Sequence, residues 1–207
     1  MGAYPFVFAG GAVLLEKRRW IWPSYLTGII LIGALLAPVY APVLPPQTFV
    51  KYYGGLTGAA NGASAQQNAG AFPQYLGDRF GWDTMTATVA QVYDSLPAQE
   101  QSEACILTLN YGEASALIFL GKPDHLPLVI SGHNNYYLWG PGNCTGAVLI
   151  IIGYSPSQFQ NSFRNITVAA NITCSYCMSS EDNLPVIVAT GLNVSTHSAW
   201  PSLKHFD

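Results

Sequence analysis

The chain has 207 residues, half of them apolar and only 9% charged, with a formal net charge of −3. Soluble domains carry roughly 25% charged residues, so a charge-rich soluble surface over the whole length is excluded and a membrane becomes the first question. The slight acidity also argues against nucleic acid as a partner, since its phosphate backbone calls for a basic face.

At the amino-terminal end, Tyr4 to Leu15 is apolar but too short to span a bilayer; it reads as the exit end of a preceding span or a re-entrant piece. Glu16-Lys17-Arg18-Arg19 follows, and then an uncharged run whose dense apolar part is "IWPSYLTGIILIGALLAPVYAPVL", 21 to 44. About 20 such residues cross a bilayer, so a transmembrane helix is expected over 20–46. Residues 1–19 then form a partial membrane segment and a cytoplasmic basic turn. Positive charge stays inside, which sends the remainder out of the cytoplasm. A signal peptide is the competing reading, but this apolar region exceeds the roughly 7–15 residues of a signal core.

Residues 47–73 are expected to supply an interfacial segment, with "TFVKYYGGL" as a short turn, and a flexible Gly/Ala/Asn/Gln-rich linker. From 74 to 207 the pattern becomes that of an extracytoplasmic α/β domain. Asp83 is the expected cap of a helix in which Met85, Val89, Val92, Tyr93 and Leu96 share one face, ended by Pro97. "ACILTLNY" (104–111), "LPLVIS" (126–131) and "AVLIIIG" (147–153) read as strands, with a helix over 112–121 between the first two. Ser155 and Pro156 open a further helix, and "NITVAANI" and "LPVIVATG" supply later strands. Alternation of this kind predicts a small Rossmann-like domain, in the loose sense, with a mainly parallel sheet flanked by helices. No GxGxxG follows any strand, so no dinucleotide cofactor is indicated.

In an open α/β sheet, ligands gather beyond the carboxyl ends of the strands. Three of the strands end in polar or aromatic corners: Asn110-Tyr111-Gly112-Glu113, the loop "HNNYYLW" from His133 to Trp139, and Gly153-Tyr154-Ser155. Running side by side, they bring Asn110, Tyr111, Glu113, His133, Asn134, Asn135, Tyr136 and Trp139 to one rim. Rings for a pyranose face beside amides and a carboxylate for its hydroxyls resemble a sugar site. The structural alternative is that the amides turn the chain, the rings cap the core, and Glu113 serves the helix dipole. No Ser/His/Asp order, phosphate loop or metal-ligand spacing is recognisable, so the rim offers no catalytic residue and no metal site. Cys174 and Cys177 ("CSYC") are read as a local disulfide or as free thiols shaping a loop, while Cys105 and Cys144 stand apart.

The segments "FGWDTMTATVAQVYDSLP", "ILTLNYGEASAL", "ISGHNNYYLWGPG" and "CSYC…NLPVIVATG…WPSLKHFD" resemble the extracytoplasmic carboxyl-terminal domain of bacterial membrane-embedded (C-superfamily) glycosyltransferases. These are related to dolichyl-phosphate-mannose protein mannosyltransferases and to aminoarabinose transferases. The resemblance covers most of the chain, and "SGHNNYYLWGP" is its most specific part. It implies transfer of a sugar from a polyprenyl-phosphate carrier, with an acidic base in the first extracytoplasmic loop. That region has no counterpart here, and neither Glu113 nor Asp78 matches its motif. The expectation is therefore a carboxyl-terminal fragment, inactive alone, whose soluble domain covers the active site or receives the acceptor. Its partners would be the lipid bilayer, a lipid-linked sugar and the remaining transmembrane part of the enzyme. The alternative is a non-enzymatic membrane-anchored module that binds a glycan or peptide.

Overall fold

The computed structural model describes residues 4–16, 20–41, 43–57 and 72–206. The basic residues Lys17, Arg18 and Arg19 and linker positions 58–71 lie outside the described residues. The chain divides into two compact units, 1–62 and 63–207.

The first unit is helical. α1 (Tyr4–Glu16) is apolar and exposed along almost its whole length. α2 (Trp22–Tyr40) has 19 residues, carries no charge and buries little of itself within the chain. At 1.5 Å per residue it is about 28 Å long, long and apolar enough to cross a membrane. Pro38 lies inside α2 and has no N–H to donate to the preceding turn. The expected interfacial turn is a full helix, α3 (Pro46–Thr57), whose Phe49 and Tyr53 stack at 5.7 Å. The Tyr52 hydroxyl donates to the carbonyl of Leu35, one turn before Pro38.

The second unit opens with α4 (Gln74–Gly77) and α5 (Trp82–Ser95). Asp83 does not cap α5; the cap position is Gly81, with φ +95°, and Asp83 sits in the first turn. The helix starts earlier because Trp82 packs on the core and its indole N–H donates to the Asp78 carbonyl at 2.6 Å. Leu96, before Pro97, is extended and ends the helix. Then come α6 (Ala98–Glu103), β1 (Ala104–Thr108), α7 (Tyr111–Leu120), β2 (Val129–Ser131), α8 (Asn134–Trp139) and β3 (Val148–Ile152). A 3-10 turn at Pro156–Phe159 precedes β4 (Phe163–Ile172), another at Ser179–Glu181 precedes β5 (Leu184–Leu192), and α9 (Thr196–Ala199) leads into a last 3-10 turn. The His133–Trp139 segment, read as a loop, is thus the short helix α8, with His133 as its extended cap residue.

The five strands form one sheet in the order β2-β1-β3-β5-β4. β1 pairs in parallel with both β2 and β3. β5 runs antiparallel to β3 and to β4. The sheet is therefore mixed, and the expectation of a mainly parallel one is corrected. The cause lies between β4 and β5, where the connection carries a single 3-10 turn and no crossover helix, so the strands return as a hairpin. Side chains alternate across the sheet as the pleat requires. Ile106, Ile150 and Val186 face α5 and α7, while Leu107, Leu149, Ile151 and Ile187 face Phe159, Phe163 and Trp200. All five residues of β3 are buried, which places the core around this strand.

A disulfide joins Cys105 in β1 to Cys144 beyond α8, with 5.9 Å between their Cα atoms. Cys174 and Cys177, read from the sequence as a local disulfide or as free thiols, are thiols in this structure.

Candidate functional site

The parallel strands β2, β1 and β3 end side by side, and their polar tips meet at one rim. At the tip of β1, Asn110 caps α7: its Oδ1 accepts the Glu113 N–H at 2.9 Å. Glu113 reciprocates through Oε2, which accepts the N–H of Leu109 at 2.8 Å and of Asn110 at 3.0 Å. This capping box satisfies donors that a helix start otherwise leaves open. It also draws Glu113 inward, so that only 1% of the residue is exposed.

Burial and then the nearby Glu181 charge push the Glu113 carboxyl up to about 8, against the two N–H bonds that favour the ionised form. Gly153, at the tip of β3, makes room for it. A Cβ there would lie 2.6 Å from Glu113 Oε1, and φ of +80° already favours glycine. The next residue, Tyr154, is buried, and its phenol is pushed up to about 12 by burial first and by Glu113 second.

Glu181 enters from the β4–β5 connection. Its Oε1 accepts from Asn110 Nδ2 at 2.9 Å, and its Oε2 is buried with no hydrogen-bond partner among the described residues. Burial raises its carboxyl, the Asn110 bond lowers it and Asp78 raises it further. Asp78 is itself raised by burial. Three carboxyl groups thus share one end of the sheet, and like charges in a low-dielectric setting favour the neutral acid.

At the tip of β2, the Tyr111 N–H donates to His133 Nδ1 at 3.3 Å. The other ring nitrogen, Nε2, lies 2.9 Å from Asn134 Nδ2. His133 stacks on His205, their ring centroids 4.6 Å apart and tilted by 19°. His205 holds the carboxyl-terminal segment to the rim. Its Nε2 is 2.8 Å from the Leu109 carbonyl and its Nδ1 2.9 Å from that of Leu203, while its backbone forms a bridge with His133.

Further along α8, Tyr136 shares a 3.0 Å hydrogen bond with Ser115 and meets Trp139 at 4.5 Å between ring centroids. Asn135 is exposed. Trp139 is 69% exposed and Tyr111 54%, so two aromatic faces are open to a ligand. On the β3 side, Tyr154, Gln158, Ser202, Lys204 and His205 help line an open pocket of about 310 Å³, within the range of small-molecule sites.

The sequence-named residues therefore fall into two groups. Asn110, Tyr111, Glu113, His133 and Asn134 are linked by hydrogen bonds and ring contacts, whereas Asn135, Tyr136 and Trp139 extend along α8. Glu181 and His205 were not anticipated. Nothing local marks them, because each reaches the rim from an irregular segment far along the chain. Among the described residues no cluster of three or more His, Cys, Asp or Glu side chains is suited to hold a metal ion.

Gly132 admits the carboxyl-terminal segment. A Cβ there would lie 2.0 Å from the Leu203 carbonyl oxygen, and the Gly132 carbonyl accepts the His205 N–H at 3.1 Å. Gly132→Ala is expected to cost about 1–3 kcal/mol through overpacking. It should also raise hydrogen exchange at 203–206, and unchanged exchange there would show that the segment docks without this contact.

Comparison with family models, with curated proteins and with solved structures gives no match to this chain.

Proposed function

We propose that this chain supplies the extracytoplasmic domain, and its membrane tether α2, of a membrane-embedded glycosyltransferase that draws on a polyprenyl-phosphate sugar. In this reading the rim receives the acceptor or covers the membrane-level active site. The parallel half β2-β1-β3, with α7 between β1 and β2, is the Rossmann-like part of the domain. The supporting observation is the gathering of amides, a carboxyl group and exposed rings at the tips of three adjacent strands. Rings pack on the apolar face of a sugar, and the amides exchange hydrogen bonds with its hydroxyls.

One feature favours a binding role over catalysis within this chain. Glu113, the group with the most displaced carboxyl, is buried and committed to capping α7, so it positions the rim and does not reach a substrate. The same feature fits the second reading, a glycan-binding module without a catalytic partner.

The test uses the full chain in lipid nanodiscs. Saturable binding of an oligosaccharide by calorimetry, weakened roughly tenfold by Trp139→Ala, is the expected result. Absence of binding across a panel of neutral and amino sugars would remove the sugar-facing rim. Incubation with a polyprenyl-phosphate sugar and the bound oligosaccharide separates the two readings. Transfer that appears only when the other membrane segments of a transferase are added supports the first, and its absence with them supports the second. Transfer by this chain alone would overturn the binding-only role of the rim.

A further inference from the structure

The CxxC segment follows β4, and its backbone doubles back so that the Cys177 N–H donates to Cys174 Sγ at 3.1 Å. The Cys177 thiol in turn donates to the Cys174 carbonyl at 3.4 Å. The two thiols differ in access: Cys177 is buried, and Cys174 is partly exposed. Both pack on Gly81, where a Cβ would lie 3.1 Å from Cys174 Sγ and 3.3 Å from the Cys177 Cβ. Gly81 is the cap residue of the 14-residue α5, and no side chain caps that terminus. The open N–H groups of a helix start carry partial positive charge. A redox CxxC ordinarily opens its own helix; here a tertiary contact brings the sulfur to the start of a different one. Asp182 faces the pair, its Oδ1 accepting the Cys174 N–H at 2.8 Å, and Asp83 lies in the first turn of α5.

We propose that Cys174 and Cys177 form a redox-active dithiol in which Cys174 attacks a disulfide and Cys177 resolves the adduct. The Cys174 thiolate attacks one sulfur of a disulfide R–S–S–R, forming the mixed disulfide Cys174–S–S–R and releasing one thiolate. Cys177 sulfur then attacks Cys174 Sγ, and its proton leaves with the second departing thiolate. The sum is one dithiol plus one disulfide giving the Cys174–Cys177 disulfide and two thiols; the protein is oxidised and the co-substrate reduced. Burial, followed by its contact with Cys174, holds the Cys177 thiol well above the ordinary thiol range. Cys177 therefore stays a thiol while Cys174 reacts, and it must give up its proton to the departing thiolate as it attacks Cys174 Sγ. The inference does not depend on the glycosyltransferase reading.

The experiment exposes the full chain in detergent, without denaturant, to oxidised glutathione, followed by acid quench, alkylation and peptide mass spectrometry. The expected result is loss of two hydrogens confined to the peptide holding Cys174 and Cys177. In Cys177→Ser a glutathione adduct should accumulate on Cys174, while in Cys174→Ser the adduct on Cys177 should form about tenfold more slowly or less. Wild-type protein that keeps both thiols alkylatable after this treatment overturns the proposal, whatever the variants do. Faster adduct formation on Cys177 than on Cys174 overturns the assigned roles.

Discussion

Glu113→Gln is expected to make the domain more stable than wild type at pH 9 and to flatten its dependence on pH. The folded-state carboxyl sits at about 8 against an ordinary value of 4.5, so the folded protein keeps this proton while the unfolded chain gives it up. The stabilisation associated with the neutral acid is complete below about pH 4.5 and falls as pH rises toward 8. It changes no further once both states are ionised. At about 1.4 kcal/mol per unit, the decline approaches 4–5 kcal/mol if Glu113 alone carries it. Glu181, raised for the same primary reason, adds in the same direction.

A glutamine keeps the shape, and its carbonyl oxygen can accept the Leu109 and Asn110 N–H bonds that Oε2 accepts now. What it removes is the charge. Thermal unfolding of the full chain in detergent, from pH 5 to pH 9, measures the effect. Wild type should lose stability across that window and Glu113→Gln should lose much less. A variant less stable than wild type at pH 9 would show that the ionised carboxylate is the form the fold prefers.

How far the rim could be read from sequence follows from which contacts are local. The Asn110-to-Glu113 spacing is that of a capping box, yet the apolar run before it carries the strand reading through Tyr111; the structure ends β1 at Thr108 and starts α7 at Tyr111, with Asn110 as its cap. The apolar runs of β1, β2 and β3, with a helical segment between the first two, were enough to place their tips together. β5 misled because "LPVIVATG" looks the same whether it pairs in parallel or turns back on β4. Only the missing helix in the 173–183 segment distinguishes the two. The six residues of α8, Asn134–Trp139, are too few to reveal its periodicity. Glu181 and His205 lay beyond reach for a further reason: their roles arise from packing between segments 71 and 72 residues away from their partners Asn110 and His133.

The cysteines show the same limit, and they carry the second large effect. The sequence leaves Cys174 and Cys177 open between a local disulfide and free thiols, and the bond forms instead between Cys105 and Cys144, 39 residues apart. Cys105 is fixed in β1 opposite Leu149, and the chain returns to it only after α7, β2 and α8 have been laid down. The bond therefore encloses Asn110, Glu113, His133 and Trp139 in one covalent ring. Closing a loop of that length removes freedom from the unfolded chain worth about 4 kcal/mol. The Cys105→Ala/Cys144→Ala double variant should accordingly lower the melting temperature by on the order of 10 °C. Alanine leaves no unpaired hydroxyl at these two buried positions. The Cys174→Ala/Cys177→Ala variant removes no cross-link present in this structure and should change stability far less. A reductant should lower the melting temperature of that second variant as it does wild type, and leave the first unmoved. A first variant that melts with wild type, while mass spectrometry confirms an intact bond in wild type, would mean that the sheet alone holds the rim together.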